Sequence, residues 1–82
     1  MALRFSEGAA KYGRGNWMLG IPLSRFYGAI LRHTMAWADG DTTEDHNGAI
    51  LWNAAAAAWT EDAINAGKLP AELDDLPFRA RP

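Results

Sequence analysis

The chain has 82 residues, 49% of them apolar, with four Trp, no Cys and a formal net charge of −2. A chain of this length holds one domain with a modest core that self-association would complete, and its apolar content excludes a disordered polymer. The slightly acidic balance excludes a general nucleic-acid binder, the lack of Cys excludes disulfides and thiolate metal sites, and the apolar runs are too short and interrupted to span a bilayer.

In chain order, residues 2 to about 12 read as a short helix with Leu3, Phe5 and Ala9 or Ala10 facing inward, ended by Gly13 and Gly15. The opening Met1-Ala2-Leu3-Arg4-Phe5-Ser6-Glu7 lacks the apolar stretch of a secretory signal, which points to the cytoplasm. Residues 13–22 carry three Gly, one Asn and one Pro, so a loop is expected, with Trp17, Met18 and Ile21 tucked onto the core. The next helix should begin between Pro22 and Ser24, with Ser24 suited to capping, and stop at Asp39-Gly40. Its apolar residues Phe26, Tyr27, Ile30, Leu31, Met35 and Ala38 predict one buried stripe. Arg25 and Arg32 lie seven apart along a neighbouring edge, with His33 beside them, an arrangement that suits either solvated charges or a grip on phosphate oxygens.

Asp41-Thr42-Thr43-Glu44-Asp45 reads as a turn and a capped helix start, with acids where the helix dipole favours them. The following helix should run to Ala66, stopped by Gly67 and kept from resuming by Pro70. Its small-residue run 54–58 permits close helix approach, and Ile50, Leu51, Trp52 and Trp59 supply bulk. Trp37, Trp52 and Trp59 suit a core or a subunit interface, and Glu61 and Asp62 a solvated face. Asn53 sits amid Ala, where a buried amide needs partners, so it should contact a ligand or lock His33 or His46. Residues 68–82 read as an extended, Pro-punctuated tail. The expectation is a single all-α domain over residues 1–82, two main helices plus a short N-terminal one, completed as a homo-oligomer.

Lys11-Tyr12-Gly13, Asn16-Trp17, Gly20, Ser24-Arg25, Arg32-His33, the acidic turn 41–45, His46 and Asn53 together resemble the phage-associated dATP/dGTP diphosphohydrolases, relatives of the MazG-like all-α nucleotide pyrophosphohydrolases. The resemblance implies hydrolysis of a purine deoxynucleoside triphosphate to monophosphate and pyrophosphate, with Mg2+ or Mn2+ held by a helical bundle and water as nucleophile. It implies phosphate and nucleotide contacts from Lys11, Tyr12, Asn16, Arg25, Arg32, His33 and Asn53, and a metal held by Asp41, Glu44, Asp45 and His46, while Arg14 joins Lys11 as a cation flanking a Gly-rich loop that could hold an anion. Each assignment has a plainer alternative: Tyr12 and Trp17 as core, the two His as hydrogen-bonded interface residues, and the acids as helix-start residues. The chain departs from the family pattern in carrying Ala49 for a second His and no Glu-x-x-Glu pair on the Arg-bearing helix. A purine nucleotide is thus the expected partner, turned over in the cytoplasm of an infected host if the chain is phage-encoded. The alternative is an inactive relative that sequesters a nucleotide such as a host immune signal.

Overall fold

The computed structural model describes residues 20–77. Two helices dominate, α1 over Leu23–Ala38 and α2 over His46–Asn65, followed by a 3₁₀ turn over Ala71–Leu73. The described residues contain no strand, and the chain is all-α. The short N-terminal helix, and the loop residues Trp17 and Met18, lie outside the described residues. No described helix is long and apolar enough to cross a membrane.

Both helix ends foreseen from glycine follow from backbone chemistry. At the end of α1, Gly40 adopts φ +87, its N–H donates to the Trp37 carbonyl at 3.1 Å, and the Asp41 N–H donates to the Ala36 carbonyl at 3.0 Å. At the end of α2, Gly67 adopts φ +74 and Lys68 N–H donates to the Ala63 carbonyl at 2.8 Å. This pair of bonds closes carbonyls that a helix end leaves open, and it needs the left-handed backbone glycine tolerates. Asp45 caps the start of α2, its carboxylate accepting from the Gly48 N–H at 3.1 Å.

Leu23 clusters with Ala56 at one end of the pair and His33 meets His46 at the other, so α1 and α2 run antiparallel. Leu23, Phe26, Trp52 and Ala56 form the core, with Ile21, Ala57, Ile64 and Leu76 packed against them. Phe26 and Trp52 meet with ring centroids 6.4 Å apart at 52°, a tilted arrangement that suits the ring quadrupoles.

The stripe expected on α1 is corrected. Phe26 is buried, but Tyr27, Leu31, Met35 and Ala38 are exposed, Met35 at 67%. The buried face is instead Leu23, Phe26 and Ala29, continued by half-buried His33, because α2 packs along that line. The expected cap is also revised. Pro22 precedes the first helical residue, and Asp75 caps from far along the chain, accepting from the Ser24 N–H at 2.8 Å and the Ser24 hydroxyl at 2.7 Å. Leu73 lies over Gly20, which has φ +121 and where a Cβ would stand 3.0 Å from the Leu73 Cδ1. The tail is thus fastened across the start of α1.

Phe26 is 0% exposed. Phe26→Ala is expected to lower stability by about 3 to 5 kcal/mol through lost transfer energy and the cavity left behind, read as a fall in the urea midpoint.

Candidate functional site

The connection between α1 and α2 builds the site. The glycine-based ending of α1 sets Asp41 immediately beyond the helix, and its carboxylate turns back to the first residue of α2, His46. Asp41 Oδ2 lies 2.5 Å from His46 Nε2, and the Thr43 hydroxyl donates to both oxygens at 2.9 and 3.0 Å. From the other side, His33 Nδ1 on α1 lies 2.8 Å from His46 Nδ1. His46 is 4% exposed, so both of its nitrogens are engaged in a nearly dry setting. The His46 hydrogen bond, followed by those from Thr43, holds the Asp41 carboxyl below its ordinary value.

Glu44 completes a cluster. One carboxylate oxygen each from Asp41 and Glu44 and a ring nitrogen of His46 lie within 4.8 Å of one another. Two hard oxygen donors and one imidazole suit Mn2+, and also Mg2+ or Zn2+. Asp45, assigned to the same set from the sequence, falls outside this cluster, and its carboxylate caps α2.

The residues assigned to nucleotide contacts are distributed differently. Arg25 and Arg32 are exposed on α1, and the Arg32 guanidinium folds back over Gly28, where a Cβ would stand 3.4 Å from its Nη1. His33 joins the acid–imidazole cluster. Asn53 is 3% exposed, but it locks neither His: its amide N–H donates to the Ala49 carbonyl at 2.7 Å, while its Oδ1 is buried with no hydrogen-bond partner among the described residues. Lys11, Tyr12, Arg14 and Asn16 lie outside the described residues. An open depression lined by Ala71, Glu72, Asp74 and Asp75 has the wrong charge for a phosphate ligand.

One pattern was missed in the sequence. The buried polar residues of α2 are His46, Asn53 and Thr60, spaced by seven, with Ala49, Ala56 and Ala63 three residues after each. Thr60 resolves its burial as Asn53 does in part, its hydroxyl donating to the Ala56 carbonyl at 2.8 Å. Seven-residue periodicity could have revealed this seam, but counting apolar residues alone passed over it.

An all-helical pair whose connection gathers two carboxylates and two imidazoles defines a class of small α-helical proteins with a metal-competent polar end. The family comparison is more specific: residues 1–69 match the dATP/dGTP diphosphohydrolase, N-terminal, family, and the chain belongs to it. Neither curated proteins nor solved structures give a significant match.

A carboxyl with a depressed folded-state pKa contributes stability that is present above its unfolded value, here near 3.8, and lost as pH falls through the lower folded value. Asp41→Asn should therefore melt below the parent protein at pH values above 3.8, and the gap should narrow under more acid conditions. Melting curves of the two proteins across that range test this.

Proposed function

We propose that this chain hydrolyses a purine deoxynucleoside triphosphate to monophosphate and pyrophosphate, with Mg2+ or Mn2+ held by Asp41, Glu44 and His46. The observation that carries the reading is the meeting of these three donors within 4.8 Å in a member of a diphosphohydrolase family. A cation bound there would draw charge from the triphosphate and make water a better nucleophile. Asp41 and Glu44 orient by charge, and His46 is fixed in angle by the two groups on either side of it. Arg25 and Arg32 share an edge of α1 and act on phosphate oxygens, with Lys11, Tyr12 and Asn16 of the family motif, and Arg14 beside its glycines, completing the nucleotide contacts.

Completion by a second copy belongs to the same proposal. Tyr27, Leu31, Met35 and Trp37 of α1, and Leu51 and Trp59 of α2, are all at least 39% exposed, and α2 also exposes Ala54, Ala55 and Ala58 on the side away from α1. A helix apolar on opposite sides is normally covered on both. The proposed setting is the cytoplasm.

Incubation with each deoxynucleoside triphosphate and Mn2+ or Mg2+ should release monophosphate and pyrophosphate. Arg32→Ala should reduce turnover at least tenfold, a loss of about 1.4 kcal/mol of transition-state stabilisation, with helical content unchanged by circular dichroism. Nucleotide bound but recovered intact would mark the chain as a sequestering relative. If neither turnover nor a nucleotide-dependent rise in Tm occurs, the nucleotide reading falls.

The Oδ1 of Asn53, unpartnered among the described residues, supports a ligand role for this amide. A buried acceptor without a partner costs roughly 1 to 3 kcal/mol, so Asn53→Leu should raise the urea midpoint of the free protein while weakening nucleotide binding. A variant that is stabilised and still binds normally would assign Asn53 to helix packing alone.

A further inference from the structure

Arg25 and Arg32 lie on α1, and Asp39 caps its end. Spaced by seven, nearly two whole helical turns, the three stand in one row along the helix. All are exposed, and neither Arg25 nor Asp39 forms an ion pair or a side-chain hydrogen bond among the described residues. They cannot meet within one chain, because the helix between them rises about 20 Å.

Beside this row runs an apolar stripe. Tyr27, Leu31, Met35 and Ala38 follow at steps of four, four and three, on the side of α1 opposite the buried line Leu23, Phe26 and Ala29. Each is exposed, Leu31 at 46% and Met35 most of all. Such a stripe is what one helix offers another, and charges along its edge decide which helix is accepted and in which direction. Against an antiparallel copy of α1, the Arg25 end of each helix comes level with the Asp39 end of the other, and two ion pairs close beside the stripe. A parallel copy would set Arg25 against Arg25. The outward face of α2, with Leu51, Ala55 and Ala58, is a poorer self-partner, because α2 carries no Lys or Arg and two copies would meet with carboxylates alone.

We propose that α1 is the docking face for a second copy of this chain, the two α1 helices packing antiparallel through Tyr27, Leu31, Met35 and Ala38, with Arg25 of each copy paired to Asp39 of the other. This deepens the second-copy reading given above and rests on it. The contact is the same patch on both copies, as a two-fold requires. Burial of the stripe supplies the attraction, and the rim pairs chiefly fix direction. A carboxylate engages two of the five guanidinium donors, so Arg25 keeps others for a phosphate oxygen.

The test is sedimentation equilibrium of the full chain from micromolar to millimolar concentration, with helical content checked by circular dichroism. The parent chain should be a dimer or an assembly of dimers. Leu31→Glu, which sets a carboxylate in the middle of the stripe, should weaken the dimer by about a hundredfold, whereas Ala58→Glu on α2 should leave it unchanged. Arg25→Glu and Asp39→Arg should each weaken it about tenfold, since either change sets like charges together at both ends of the pair. Mixed in equal amounts, these two variants should regain the parental affinity as a heterodimer, because each supplies the charge the other lacks. A parent chain that stays monomeric throughout would remove the second copy and this pairing with it. If the chain dimerises but Ala58→Glu dissociates it and Leu31→Glu does not, or if the mixed variants stay weak, the α1 pairing is overturned and the second copy stands.

Discussion

His46 is the residue on which the polar end of this fold depends. It opens α2, it is nearly sealed from solvent, and it meets His33 of α1 and Asp41 of the connection through its two nitrogens. Burying an imidazole costs free energy unless its hydrogen-bonding capacity is met, so the register between α1 and α2 that brings these groups together is favoured over registers that separate them. Phe26 and Trp52 further along the pair add contact area, but apolar packing alone is more tolerant of sliding. The helix crossing is thus shaped by fit at one end and by hydrogen-bond direction at the other.

The seam of α2 combines two devices. Ala49, Ala56 and Ala63 are small enough for α1 to approach closely, while His46, Asn53 and Thr60 place polar atoms at every second turn. Asn53 and Thr60 return their donors to carbonyls one turn back, which leaves the helix intact and costs little. The exception is the Oδ1 of Asn53. A chain selected only for packing would gain from an apolar side chain at this position. The same economy of apolar residues leaves Tyr27, Leu31, Met35 and Trp37 in solvent on a single chain.

Much of this was legible in the sequence because local chemistry dictated it. Gly40 and Gly67 ended helices where glycine was needed for a left-handed backbone, and Asp45 opened α2 as an acceptor for free N–H groups. Of Asp41, Glu44, Asp45 and His46, which the sequence suggests as one metal set, Asp41, Glu44 and His46 lie together, while Asp45 caps α2. What was not legible depended on partners distant in the chain. The buried face of α1 could not be chosen among its many apolar residues without knowing where α2 lies, so Tyr27, Leu31 and Met35 were placed inside. His33 reads from the sequence either as a phosphate contact or as a hydrogen-bonded residue at a helix interface, but nothing in a linear motif announces that its partner there is another His thirteen residues on. Asp75 as the cap of α1 was hidden for the same reason, since capping is normally sought among adjacent residues.

That distant cap has a bearing on how the molecule comes into being. Ser24 receives its acceptor from a residue 51 positions later, and Leu73 and Leu76 reach Gly20 and the core in the same stretch. While the polypeptide is still emerging from the ribosome, the first turn of α1 must make do with water. It can be finished only after Asp75 has left the exit tunnel, so α1 is made before α2 but its first turn is secured after α2 is complete.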